Sequence, residues 1–98
     1  MSFSDFLTED ARLVILKALA QETNATLNEA ILTRVLETFG YKWSRDKVRT
    51  QILKLAELGA LRTTEAGSVV IATLTQAGLD HVERRSEISG VARPSLDR

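Results

Sequence analysis

Four side chains that can contact a nucleic-acid base share one face of the segment 44–58. Because a helix turns by about 100° per residue, a helix over SRDKVRTQILKLAEL places on one side Lys47, Thr50, Gln51 and Lys54. A glutamine amide can pair with adenine, a lysine ammonium can donate to guanine, and a threonine methyl can contact thymine. These residue types at this spacing point to the reading of base edges in a major groove.

Basic residues around that face are suited to phosphate contacts. Arg45 lies in the first turn of the predicted helix, Lys42 lies in the loop before it, and Arg62 is the only cation on the hairpin strands predicted below. Such contacts position a protein on a duplex without reading its sequence. Arg49 lies away from the polar face, so we expect it to pack against the preceding helix or to pair with an acid there.

Charge is unevenly distributed along a chain of 98 residues whose formal net charge is zero. Residues 1–40 hold six acids and three bases, whereas residues 41–54 hold five bases and one acid. Segregation of this kind creates a local positive field on a neutral molecule. The alternative is that the basic run is the solvated face of a helix, which is the commoner origin of such a run.

The helix that carries these residues is marked by a cap at each end and by one apolar face. Ser44 is a good N-cap, and Gly59 is the residue type that a helix favours just beyond its last turn. The apolar face recurs at helical spacing and consists of Val48, Ile52, Leu55 and Ala56. One side of the segment is therefore expected to pack into a core while the other faces solvent.

The remaining pattern predicts a helix, a short strand and a second helix before this segment, and a hairpin and a last helix after it. The first helix is predicted from Ser4 or Thr8 to about Gln21, the short strand at Thr26–Leu27, and the second helix from its N-cap Asn28 to about Phe39. The hairpin strands are predicted at 60–64 and 69–73, and the last helix from its N-cap Thr75 to about Arg85. A three-residue turn joins the second helix to 44–58, so the two must cross steeply, as in a helix-turn-helix. The predicted fold is mainly α with a small β-hairpin: a winged helix-turn-helix with helix, short strand, helix, helix, two-stranded wing and helix.

The domain organisation follows from length and composition. A chain of this size forms one domain, which we assign to residues 1–85. Residues 86–98 are mostly polar, lack periodicity and contain the only proline, so we expect a flexible C-terminal tail.

A second apolar arc on the first helix raises the question of what covers it. The arc consists of Leu13, Leu16 and Ala20. A small domain has one core to offer, so we predict a homodimer in which these residues and Leu79 and Val82 of the last helix form the interface. The alternative is that Leu79 and Val82 of the same chain cover the arc in a monomer.

The sequence offers little for catalysis, metal binding or membrane insertion. There is no cysteine, the sole histidine is His81, which we expect to be solvated, and no HExxH spacing or glycine-rich phosphate loop occurs. We therefore predict no enzyme, no catalytic residue, no metal and no cofactor. No stretch approaches the ~20 apolar residues of a membrane span, and MSFSDFLTED does not read as a secretory signal, so we expect a cytoplasmic protein without a membrane partner.

Several phrases resemble known regulators. LAELGALRTTE resembles the junction between recognition helix and wing in the ArsR, MarR and PadR groups, and ATLTQAGLDHV resembles their junction between the last strand and the last helix. Over almost its whole length the chain is similar to a family of small winged-helix proteins of Mu-like prophages, through SFSDFLTEDARLVILKAL, LNEAILTRVLETFGYKWSRDKVRTQILKLAELG and GVARP. The resemblance implies the winged-helix fold and a phage or prophage setting.

Two functions remain open at this point. The first is a phage or prophage transcriptional regulator that binds double-stranded DNA with helix 44–58 in the major groove. The second is a winged-helix protein-interaction module, such as a phage accessory or assembly protein with a phage protein as partner, that has no DNA affinity. Zero net charge favours the protein-interaction module. So does Glu65 at the wing tip, because winged helices that bind DNA commonly carry basic residues there.

Overall fold

The structure, a computed structural model, describes residues 1–96 and has the winged-helix fold predicted from the sequence. The elements are, in chain order, α1 (Phe3–Ala20), β1 (Thr26–Asn28), α2 (Glu29–Thr38), α3 (Arg45–Glu57), β2 (Leu61–Ala66), β3 (Val69–Leu74) and α4 (Gln76–Val82). The strands form one antiparallel sheet in the order β1-β3-β2. The wing hairpin pairs from Leu61 with Leu74 at its base to Ala66 with Val69 at its turn.

Side-chain caps fix where the helices begin. The predicted N-caps of the last three helices are confirmed, and they are Asn28, Ser44 and Thr75. The first helix begins earlier than predicted, because Ser2 forms a capping box with Asp5. The Ser2 hydroxyl accepts from the Asp5 amide at 3.0 Å, and the Asp5 carboxylate accepts from the Ser2 amide at 3.4 Å.

The last helix ends at Val82 rather than at the predicted Arg85. Arg84 adopts a left-handed φ of 64°, which stops helical propagation. The Arg85 amide then donates to the Asp80 carbonyl at 2.8 Å, and the Arg84 amide donates to the His81 carbonyl at 3.1 Å. These two bonds form a Schellman motif, which explains why the helix ends there.

One core lies between the helices and the inner face of the sheet. It contains the arc of α1 that we expected at a dimer interface, since Leu13 is 7% exposed and Leu16 is 0% exposed within the single chain. Because α4 packs on α1, the structure favours the alternative in which the same chain covers this arc. Leu13 and Leu16 are therefore not available as the predicted dimer contacts, whereas Ala20, Leu79 and Val82 are half-buried. A homodimer stays a prediction without the support of this arc.

Residues 86–92, which we call the C-terminal strap, pack on the domain and so differ from the predicted flexible tail. Val91 is buried, and Ile88 and Ala92 pack against the core. The ring of His81 accepts from the Ile88 amide at Nδ1 (3.0 Å), so Nε2 carries the proton and donates to the Ala92 carbonyl at 2.9 Å. Apolar contacts and satisfied backbone groups together hold the strap. The domain boundary after residue 85 stays a prediction, and residues 97 and 98 of the predicted tail lie outside the described residues.

Within residues 1–96, no helix combines the length and the apolar character that crossing a membrane requires.

Candidate nucleic-acid interface

The exposed face of α3 brings together three of the four predicted base-contacting residues, and these are Lys47, Thr50 and Lys54. One acid and one backbone carbonyl engage two of these side chains. The Thr50 hydroxyl donates to the Asp46 carbonyl at 3.1 Å, and Lys54 Nζ lies 3.7 Å from the Glu57 carboxylate. The face is therefore a mixed polar surface with two ammonium groups, and it is less cationic than the linear charge count indicates.

Lys47 is placed by the corner of the helix-turn-helix. Its ammonium lies 4.2 Å from the centroid of the Trp43 ring, a cation–π geometry that leaves the lysine exposed. The Trp43 ring packs against the Tyr41 ring at 5.3 Å, and the Tyr41 hydroxyl donates to the Asp10 carboxylate of α1. Burial, and then this hydrogen bond, raise the pKa of Tyr41 to about 12. The turn before α3 is thus anchored to α1, which fixes the start of the candidate recognition helix.

Gln51 is held on the side of α3 that faces α1, apart from the other three residues. Its side-chain oxygen accepts from Arg12 Nε at 2.9 Å, and Arg12 Nη1 donates to the Gly90 carbonyl of the strap at 2.9 Å. The wheel position of Gln51 lies at the border between the two faces of α3. The hydrogen bond from Arg12 orients its side chain toward α1. The predicted role of Gln51 in reading a base would require it to leave Arg12.

Arg45 and Arg49 converge on Glu29, a buried carboxylate at the start of α2. Arg45 Nε and Arg49 Nη2 each donate to Glu29 Oε2 at 2.9 Å, and the Val70 amide of β3 donates to Oε1. The prediction that Arg49 pairs with an acid near the second helix is confirmed. Burial by itself raises the pKa of Glu29, but the bonds from Arg49, the Val70 amide and Arg45 outweigh it and lower the pKa from 4.5 to about 2.

The remaining predicted cations are exposed, one before and one after α3 along the chain. Lys42 lies in the loop between α2 and α3, and Arg62 lies near the base of the wing, opposite Thr73. At the other end of the wing, Arg49 Nη2 donates to the Ser68 carbonyl at 2.9 Å, which ties the turn to α3. Glu65 is exposed beside that turn, as the sequence indicates.

Two buried polar residues were not recognised from the sequence. Glu29 is 0% exposed, although its spacing from Leu32 and Leu36 places it on the apolar stripe of α2 and could have identified it. His81, expected to be solvated, is 1% exposed because the strap covers it. Among residues 1–96, no group of histidines and acids has an arrangement that could hold a metal ion.

Solved structures with a similar fold include DNA-binding proteins. The chain matches hsRosR, solved in a complex, with a TM-score of 0.65 and 21% identity over 76% of this chain and 65% of hsRosR. It matches the DNA-binding domain of the repressor BlaI with a TM-score of 0.55 and 25% identity, over 66% of this chain and 76% of that domain. It matches Bordetella bronchiseptica BpsR, whose DNA binding is regulated by 6-hydroxynicotinic acid, with a TM-score of 0.62 and 20% identity over 83% and 59% of the two chains.

Sequence comparison finds relatives that span most of the chain. No protein-family model matches it. An uncharacterized protein of Haemophilus influenzae is 38% identical over 80 residues, which cover 81% of this chain and 78% of the relative. An uncharacterized protein of Escherichia phage Mu, gp26, is 43% identical over 91 residues, which cover 93% of this chain and 94% of gp26. The chain therefore belongs to the family of the Mu phage protein gp26.

Proposed function

We propose that the protein binds duplex DNA with α3 in the major groove and acts as a transcriptional regulator of a phage or prophage. The observation that carries the proposal is the exposed face of α3, where Lys47, Thr50 and Lys54 lie together on a helix whose opposite face is buried. The similarity to the DNA-binding domain of the repressor BlaI supports it, as does the relation to phage Mu gp26, which supplies the phage setting.

The positions of the polar groups suggest which of them contact bases and which contact phosphates. Lys47, Thr50 and Lys54 are exposed where a helix in a major groove meets base edges. Lys42 and Arg62 flank α3, where they are suited to phosphates. The Lys54 ammonium lies 3.7 Å from the Glu57 carboxylate, so we expect moderate affinity, and the phosphate contacts make that affinity fall with added salt.

A salt titration on random duplex DNA tests this function. We expect the logarithm of the binding constant to fall linearly with the logarithm of salt concentration, by about 0.9 for each phosphate contacted. Lys47→Gln and Lys54→Gln should each weaken binding and lower the slope by roughly one if the lysine contacts a phosphate. Fluorescence anisotropy with a labelled duplex measures both quantities.

Lys17→Gln on α1 is the matched control, because it removes the same charge from a half-buried lysine outside α3. It should leave the slope unchanged. The assignment of α3 fails if the two α3 variants bind like the parent protein, or if all three variants lose affinity equally, as a pure net-charge effect would require.

A protein-interaction module is the second candidate, and the surface between α1 and α2 favours it. Ile31 of α2 and Phe39, the C-cap of that helix, are large apolar side chains that are 44% and 65% exposed. They line an open groove with Val14 and Ala18 of α1. Exposed apolar surface of this kind is typical of interaction sites. If the parent protein does not bind duplex DNA even at low salt, this second function replaces the first.

A further inference from the structure

We infer that Glu29 is a positioning residue for a phosphate site formed by Arg45 and Arg49 between the start of α3 and the wing. We call this pair of arginines the phosphate seat. The inference rests on the proposed DNA-binding function and adds to it Arg49, which the sequence places away from the DNA-binding face. Glu29 itself touches no DNA in this arrangement, since its carboxylate is buried.

The first support is the way in which one carboxylate holds three elements. Glu29 begins α2, Arg45 and Arg49 lie on α3, and Val70 belongs to β3. Arg49 binds in a forked manner, with Nε 3.2 Å from Glu29 Oε1 and Nη2 2.9 Å from Glu29 Oε2. Forked pairing fixes the plane of a guanidinium as well as its position. The bond from Arg49 Nη2 to the Ser68 carbonyl then sets the guanidinium against the wing turn.

The second support is that donors remain on the outer side of both arginines. A guanidinium carries five N–H groups. Arg45 uses Nε toward Glu29, and Arg49 uses Nε and Nη2 toward Glu29 and Ser68. The Arg45 and Arg49 side chains are 46% and 38% exposed. These donors thus contact protein, and the exposed fractions leave part of each guanidinium side chain open to a phosphate oxygen.

The third support is the charge balance. In the gap between α3 and the wing, where the acids Asp46 and Glu65 also act on Arg49, the two guanidinium groups and Glu29 together carry one net positive charge. A phosphodiester group carries one negative charge, which matches it. Holding two cations beside each other before binding also reduces the side-chain entropy that DNA binding would otherwise cost.

A purely structural role for Glu29 is the competing explanation. The direction in which DNA affinity changes when the charge of Glu29 is removed separates the two. Glu29→Gln removes a negative charge close to the proposed DNA surface, so simple electrostatics predicts tighter binding. The positioning role predicts weaker binding in spite of the added positive charge, because the arginines lose their orientation. Glu57→Gln is the matched control, since it removes an exposed acid from α3, the helix that carries both arginines.

The experiment compares duplex-DNA affinity and salt slope for the parent protein, Glu29→Gln and Glu57→Gln at a temperature at which circular dichroism shows all three folded. We expect Glu29→Gln to bind roughly tenfold more weakly, with a slope lower by about one to two, and Glu57→Gln to bind at least as tightly as the parent protein. Tighter binding by both variants, with the parental slope, would overturn the inference while leaving the proposed function standing. No DNA binding by the parent protein would overturn both.

Arg45→Gln decides the matter if Glu29→Gln does not fold. This variant keeps the bonds between Arg49 and Glu29, so we expect the fold to persist. The slope should fall by about one, and Arg45→Lys, which keeps the charge without the fork, should restore only part of the affinity. A parental slope in folded Arg45→Gln would contradict the phosphate seat.

Discussion

At the scale of single residues, Glu29 shows why charge counted along the chain misrepresents charge in space. The linear count treats Arg45 and Arg49 as part of a positive field and Glu29 as part of a distant acidic segment. In the structure the three form one cluster, although Glu29 lies 16 and 20 positions before the two arginines. Pairs at such separations depend on how α2 and α3 cross, and no local pattern contains that information.

The depressed pKa of Glu29 predicts how stability depends on pH. The folded-state pKa of about 2 lies below the ordinary 4.5, so the stabilisation is complete above pH 4.5 and is lost as the pH falls toward 2. We expect the free energy of unfolding to drop by about 2 kcal/mol across this range, less than the full shift implies because both arginines are partly exposed. Urea denaturation at several pH values between 5 and 2 measures it.

Glu29→Gln isolates this contribution. The variant should be less stable than the parent protein at pH 7, by roughly 3 kcal/mol as for other broken buried pairs, and its stability should change less between pH 5 and 2. Glu57→Gln serves as the comparison because its carboxylate is 74% exposed. If the Glu29 variant keeps the pH dependence of the parent protein, other carboxylates cause the acid sensitivity.

At the scale of elements, what is local in sequence was predictable and what is not local was missed. Caps and periodicity act within one or two helical turns, so the last three N-caps and the shared face of Lys47, Thr50 and Lys54 follow from the sequence. The wheel position of Gln51 predicts the same face for it. Its partner Arg12 is 39 positions away, so only the packing of α1 on α3 reveals that Gln51 turns aside.

Gly78 provides a test of how tightly α4 must approach the backbone at Ala60, just before β2. An added Cβ would lie 2.1 Å from the Ala60 carbonyl oxygen, a backbone atom that cannot swing away. Helix propensity alone predicts that Gly78→Ala stabilises α4 by up to about 1 kcal/mol. We expect instead a loss of about 1–3 kcal/mol, because overpacking forces the backbone to move. Thermal unfolding distinguishes the two signs.

Ala77 is the adjacent control, since it is exposed on the same helix. Ala77→Gly should cost at most about 1 kcal/mol through propensity alone. A Gly78→Ala variant that is as stable as the parent protein, or more stable, would mean that α4 and the backbone at Ala60 can separate without cost.

At the scale of the whole molecule, the C-terminal strap completes the fold and connects it to α3. The Ala92 amide donates to the Glu9 carbonyl of α1 at 3.1 Å, and Arg12 joins the Gly90 carbonyl to Gln51. The strap therefore contacts α1 and α4 directly and reaches α3 through one arginine. Polar composition predicted a flexible segment, but a few apolar residues suffice once a buried histidine satisfies the backbone groups between them.

Removing the strap should destabilise the protein. A chain that ends at residue 85 loses the buried Val91 side chain, worth about 1.5 kcal/mol or more, together with the hydrogen bonds to His81 and Arg12 at about 1 kcal/mol each. For a domain of this size 1 kcal/mol corresponds to roughly 4–8 °C, so we expect the Tm to fall by more than about 10 °C.

A chain that ends at residue 92 keeps these contacts and loses the exposed ion pair between Arg93 and Glu87, which contributes little. Differential scanning calorimetry should therefore give a Tm near that of the full chain for the longer truncation and a much lower one for the shorter. Equal values for the two would show that residues 86–92 add no stability and that the predicted flexible tail describes the protein in solution.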